Sequence, residues 1–168
     1  NNGIEFDFSL SILQKDEILW RGITTWFKRG NFGYTDEKIA SFETLTPIES
    51  GKVLCELDIP EDIGKRFAKV TGDYNPIHIS TFMAKFFGLK KSIAHAMWFC
   101  GYLASRLSHV KRAVPIQIDL AFKSPIFVGS KSIVMFEERD KSLRFDAYCH
   151  GNSKACINGF VGEFTDER

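Results

Sequence analysis

The sequence predicts an α+β fold in which an antiparallel β-sheet wraps around one long buried central helix. Three observations carry this expectation. Residues 94–107 place Met97, Trp98, Phe99, Cys100, Tyr102, Leu103 and Leu107 around most of a helical circumference, the pattern of a helix surrounded by protein. After it come four runs suited to strands, joined for the most part by turns of hairpin length, so the strands should pair antiparallel. Helices and strands are segregated along the chain, which separates this class from alternating α/β folds.

At the start, Ile4, Phe6, Phe8, Leu10 and Ile12 alternate with Glu5, Asp7, Ser9 and Ser11, the period of a half-buried strand. A turn at Lys15-Asp16 and a second run, Ile18 to Phe27, complete a hairpin. Two strands alone are marginal in water, so this hairpin must pair with something else. Residues 29–51 are polar and read as a linker with a short helical turn near 36–42. The expected organisation is therefore a hairpin and linker at 1–50 and a main domain at 51–168. That domain opens with a strand from Lys52 to Asp58. Pro60-Glu61-Asp62 should start a helix, with proline and acids where the helix dipole favours them, and Thr71-Gly72 should end it. A second helix is expected from Pro76 to about Phe87, closed by Gly88. The buried helix follows. Strands then run from Val114 to Phe122, where Ser124-Pro125 breaks the run, and through 131–138, 142–149 and 154–164.

The chain has 168 residues with 22 basic and 21 acidic side chains, a formal charge of +1, and is 44% hydrophobic and 26% charged. That composition fits one globular domain with an appendage, long enough to bury a core without disulfides. Near-neutral charge argues against a nucleic-acid partner. No apolar run approaches the roughly 20 residues of a membrane-spanning helix. Residues 1–8 carry neither the basic nor the apolar region of a signal peptide. The chain begins with Asn1 and not methionine, so it is expected to be a processed product or a piece of a longer chain. Cys55, Cys100, Cys149 and Cys156 show no metal-binding spacing and should be reduced thiols, with Cys149 and Cys156 facing each other across a hairpin.

The segment that carries chemistry is Gly72-Asp73-Tyr74-Asn75-Pro76-Ile77-His78. Proline disfavours α geometry at Asn75 and fits the first position of the next helix, which makes Asn75 its N-cap and puts His78 in the first turn. On a continuous helix Asp73 and His78 would point about 140° apart. The bend at Asn75-Pro76 lets them converge. A helix N-terminus disfavours imidazolium, so His78 should be neutral at pH 7 and able to hold a water. Taken alone, such a turn is usually only a turn, its Asp and Asn satisfying backbone donors.

Context changes that weighting. Phe67, Val70-Thr71-Gly72-Asp73, Asn75-Pro76-Ile77-His78 and Ala84 together resemble, without a gap, the signature of the R-specific enoyl-CoA hydratases and MaoC-like dehydratases. Ile93-Ala94-His95-Ala96-Met97 resembles the histidine-glycine-methionine segment that opens the family's central helix. Phe122 to Gly129 resembles its strand followed by a proline and a glycine. The resemblance runs from Leu57 to Val161 in the right order, which makes it specific.

The resemblance implies the hot-dog fold and reversible addition of water to a trans-2-enoyl thioester, giving the R-3-hydroxyacyl product. It implies that Asp73 and His78 grip one catalytic water, with Asp73 taking its proton and His78 delivering one to the α carbon; the two roles are exchangeable on sequence grounds. A carboxylate in open water is a weak base at pH 7, so the first role asks for partial burial of Asp73. Asn75 would hold the loop and contact substrate or water. The Ala96 N–H would stabilise charge on the thioester oxygen, and here alanine replaces the family's glycine, whose missing methyl leaves room for the thioester. His95 is either a substrate contact or a satisfied core histidine. No metal or redox cofactor is implied; coenzyme A or an acyl-carrier protein is the substrate's handle. A homodimer, no membrane partner and a cytoplasmic location complete the expectation. His109, His150 and the pair Lys111-Arg112 read as surface groups, and Trp98, Phe99 and Phe122 as core. Larger relatives join two hot-dog units, and the hairpin looks like the end of a first one. Two alternatives stay open: a non-catalytic module that binds acyl thioesters or serves assembly, and a hot-dog acyl-CoA thioesterase.

Overall fold

A computed structural model describes residues 3–33, 48, 51–107, 116–139, 142–149 and 152–163. The expected helical turn at 36–42, His109, Lys111-Arg112 and His150 lie outside these residues. The chain divides into two compact units, Asn1–Ser41 and Phe42–Arg168.

The first unit is a hairpin of β1 (Gly3–Gln14) and β2 (Glu17–Arg29). Its two-residue turn holds Lys15 and Asp16 at φ 49° and 66°, the pair of positive values that matches the right-handed twist of the strands. Register pairs Phe6 with Trp26 and Ile12 with Trp20, so one face carries these four with Phe8 and Leu10. The other face is more polar and includes a 2.6 Å hydrogen bond from the Thr25 hydroxyl to Asp7.

Among its described residues the second unit is a five-stranded antiparallel sheet and four helices: β3 (Lys52–Asp58), α1 (Ile63–Thr71), α2 (Pro76–Ile79), α3 (Thr81–Phe86), α4 (Ala96–Leu107), β4 (Ile116–Phe122), β5 (Lys131–Arg139), β6 (Ser142–Cys149) and β7 (Ile157–Glu163). Sheet order is β3-β5-β6-β7-β4. The meander expected after the central helix therefore covers only β5, β6 and β7. β4 lies at the far edge beside β7, because the irregular segment 123–130 carries the chain across; within it Phe127 makes a lone bridge to Ile93.

Alternation on β6 sends Leu143, Phe145, Ala147 and Cys149 to the inner face, where they join Val134, Ile157 and Val161 in one core with Phe99 and Leu103 of α4. Phe99 and Leu103 are four residues apart, on one helix face, and fully buried. Within this chain the burial of α4 is one-sided, since Met97 and Gly101 are exposed. A helix lying on a single sheet can cover only the side that faces it.

Two helix boundaries differ from expectation. Pro60 precedes α1 because Ile59 is pinned to the 129–130 turn, donating to Ser130 O at 2.7 Å and accepting from Gly129 N at 2.8 Å. The helix expected over 76–87 is split at Ser80, which is extended (φ −140°, ψ 116°) and caps α3 by accepting from Met83 N. All four cysteines are free thiols. Cys149 and Cys156 are buried, and the hydrogen bond between them, with burial, pushes the Cys149 thiol up.

Candidate active site

The local chain path follows from four small residues. Gly72, at φ 77°, is the left-handed residue that stops α1, its N–H returning to Ala68 O at 2.8 Å. Asp73 then turns the chain, its carboxylate accepting from Asn75 N at 3.2 Å. Asn75 caps α2 as expected, accepting from Ile77 N at 3.3 Å, with Pro76 at the first helical position. The fourth residue is Gly64, which the sequence reading passed over. A methyl group there would overlap the backbone carbonyl of His78, so Gly64 sets how closely α1 approaches α2. A glycine inside a helix was the available signal.

This path brings Asp73, His78 and His95 together, with one ligand atom of each within 4.8 Å of the others. Among the described residues they are the one group of three that could also converge on a cation. The hydrogen bonds define the imidazoles. His78 Nδ1 lies 2.9 Å from Ile93 O, and a carbonyl only accepts, so Nδ1 carries the proton and the neutral ring leaves Nε2 as an acceptor. His95 Nε2 likewise donates to Asp73 O at 3.0 Å and lies 3.6 Å from the Asp73 carboxylate. The His78 and His95 rings stack at 3.8 Å between centroids, and Phe67 packs on the His95 ring at 5.0 Å. His95 is 3% exposed, so it holds Asp73 and His78 from beneath. Its Nδ1 has no hydrogen-bond partner among the described residues.

The carboxylate of Asp73 is 53% exposed, more open than the partial burial the sequence reading asks for. Burial lowers the pKa of His78 below 6.5, a neighbouring His95 adds to the drop, and the Ile93 carbonyl and Asp73 oppose it. The neutral ring was expected, but from a helix dipole; α2 is only 4 residues long, and desolvation is the larger cause. The sign for stability follows. The folded state binds this proton less readily than the unfolded chain, so folding weakens as pH falls from about 6.5 through the lower folded value, and the group has no effect at pH above the unfolded value. NMR titration of the imidazole is expected to give His78 an apparent pKa below 6.5; a value at or above 6.5 would contradict the buried neutral ring.

Ala96 opens α4 immediately after His95 and is exposed. Its N–H meets no described acceptor, the ordinary condition of a first-turn donor. Ala96 is not among the residues with positive φ, so the backbone freedom of glycine is not needed here and only the methyl group distinguishes it. Phe99 is core, as expected; Trp98 is half-buried against the same core, and Phe122 is exposed.

A family model described as "MaoC like domain" matches residues 42–154. The chain is 28% identical over 128 residues to the "3-hydroxyacyl-[acyl-carrier-protein] dehydratase, mitochondrial" of Arabidopsis thaliana, covering 70% of this chain and 76% of that protein. Among solved structures it is similar to a MaoC-like dehydratase from Phytophthora capsici (TM-score 0.76, 20% identity, 98% of this chain and 58% of that one). It is also similar to the (R)-hydratase of A. caviae involved in PHA biosynthesis (TM-score 0.55, 21% identity, 72% and 100%). The chain thus spans less than two thirds of the Phytophthora protein. These likenesses give the sheet-and-helix unit the hot-dog fold. No described helix is long and apolar enough to cross a membrane.

Proposed function

The chain belongs to the MaoC-like domain family, and from that membership we propose that it reversibly adds water to a trans-2-enoyl thioester, giving the R-3-hydroxyacyl thioester. The observation that carries this reading is the convergence of His78 and the Asp73 carboxylate, one ligand atom of each within 4.8 Å of the other, against His95, the residue before Ala96 at the start of α4. Two acceptors this close suit one water, which donates a hydrogen to each. The hydrogen bonding favours a division of labour beyond the two left open, in which His78 both takes and returns the proton. As the water oxygen bonds to the β carbon, Nε2 takes its proton and becomes imidazolium; the C=C electron pair moves to the α carbon and thioester oxygen. The same Nε2–H then protonates the α carbon, so the ring ends neutral and water has been added across the double bond. Asp73 orients the water and offsets the transient positive charge. The Ala96 N–H stabilises the enolate oxygen. Asn75 acts through its cap, holding the turn between the two. The reaction needs no metal or redox group; coenzyme A or a carrier protein is only the handle.

The hairpin is read in the same way, as the closing strands of a preceding hot-dog unit. Its exposed apolar face, and the match of 98% of this chain to the longer Phytophthora structure, support that reading. A second copy of the chain over the exposed side of α4 is the expected dimer.

The test is loss of the enoyl-thioester ultraviolet absorbance on trans-2-enoyl substrates of short and medium length, with chiral analysis of the product. Turnover to the R product that survives dialysis against a chelator is expected. Release of free thiol in place of hydration would assign a thioesterase, and folded protein that binds without turnover would assign a binding module.

A further inference from the structure

We propose that the outward faces of α1 and α3 form a docking surface for an acidic carrier protein, which presents the acyl chain to the site on a pantetheine arm. The proposal rests on the hydration reading and names the handle that it left open.

At 100° per residue, the exposed side of α1 carries Lys65, Arg66, Lys69 and Val70, opposite the buried Gly64 and Ala68. The exposed side of α3 carries Phe82, Lys85 and Phe86, opposite Ala84. Both helices pack on α2, which holds His78, so whatever covers these faces lies beside the site. Charge is uneven here. Between Ile63 and Lys91 there are six lysines and arginines and one acid, Asp73, in a chain whose net charge is +1. Arg66 pairs with Asp62 at 3.7 Å and Lys91 with Glu61 at 3.0 Å. Lys65, Lys69, Lys85 and Lys90 form no ion pair with any described carboxylate.

Among these charges stand large apolar side chains with no core role: Val70, Phe82 and Phe86 are 83%, 80% and 79% exposed. Exposed apolar groups interleaved with basic ones are the composition of a protein interface. A nucleotide handle would ask instead for two or three donors converging on one phosphate. Here the charges are spread over two helices and a loop, and the uncompensated sign selects an acidic partner and speeds its approach at low salt.

The test compares the parent with the triple variant Lys65→Glu/Lys69→Glu/Lys85→Glu on one enoyl chain carried by an acyl-carrier protein, by coenzyme A and by N-acetylcysteamine. The expected result is a tenfold or larger fall in kcat/KM on the carrier protein, expressed in KM and steeply salt-dependent in the parent. The N-acetylcysteamine rate should not change. Phe82→Ser/Phe86→Ser should show the same selectivity without the salt effect. A loss confined to coenzyme A would overturn the proposal in favour of a nucleotide site, and an equal loss on all three would reduce the variants to a general defect. A changed sedimentation coefficient in the triple variant would make the surface a subunit contact and overturn it as well. If the parent hydrates none of the three, the hydration reading fails, and docking is decided separately by titrating unloaded carrier protein onto the parent at low salt.

Discussion

Asp73→Asn and His78→Ala are each expected to lower kcat for hydration by about 10²–10⁴-fold, the range for losing a positioned acid–base group. The double variant should be little worse than the poorer single one, because both residues act on the same water. Asparagine keeps the acceptor for Asn75 N, so the turn survives while the charge that offsets a protonated His78 is gone. His78→Ala removes the nitrogen placed to take and return the proton. His95→Phe separates support from chemistry: it keeps a ring against His78 but loses the hydrogen bond to Asp73 O. It should lower kcat less than the other two, with KM nearly unchanged. Progress curves on one enoyl thioester, with circular dichroism to confirm folding, decide the matter. Full activity in Asp73→Asn would remove the carboxylate from the mechanism.

The site was legible where local geometry makes it. The turn Gly72 to His78 is written in residues whose backbone preferences are strong and short-ranged: a left-handed glycine, an Asx turn, a capping asparagine and a proline at the first helical position. His95 was not, because its role depends on α4 starting beneath a turn 22 residues earlier in sequence, and no local signal tells a stacked, buried imidazole from a substrate contact. Gly64 was passed over for the same reason: its neighbour is a carbonyl on another helix. At the level of fold, the alternation of β4 was clear from Ile116 to Phe122, but its partner was not, since alternation states which face is buried and not which strand lies alongside. Residues 76–87 read as one helix because Ser80 is tolerated in a helix and also favoured at a cap; its own bond to Met83 N decided the matter. Arg144 and Asp146, between core residues on β6, fall where alternation expects water, yet both are buried.

That burial carries the largest stability effect expected in this chain. Asp146 is fully buried on the face of β6 opposite Phe145 and Ala147, and its carboxylate accepts from four donors: Asn158 Nδ2 at 2.7 Å, Ile48 N at 3.1 Å, the Tyr148 hydroxyl at 3.1 Å and Arg144 Nη2 at 3.4 Å. Arg144, 2% exposed, also reaches Glu137 at 3.5 Å. Asp146→Ala would strand these donors and take a counter-ion from a buried guanidinium. The expected cost is about 3–5 kcal/mol, roughly 10–20 °C in Tm for a unit of this size. The pair itself need not be net stabilising, since burying two charges offsets much of their attraction. Replacing both, as Arg144→Met/Asp146→Leu, should therefore cost less than Asp146→Ala alone. Chemical denaturation of the three proteins measures this, and a double variant less stable than the single would show that the ion pair contributes more than its desolvation removes. Because Ile48 is held to the sheet through this carboxylate, the single variant should also lose amide-exchange protection at Ile48 first.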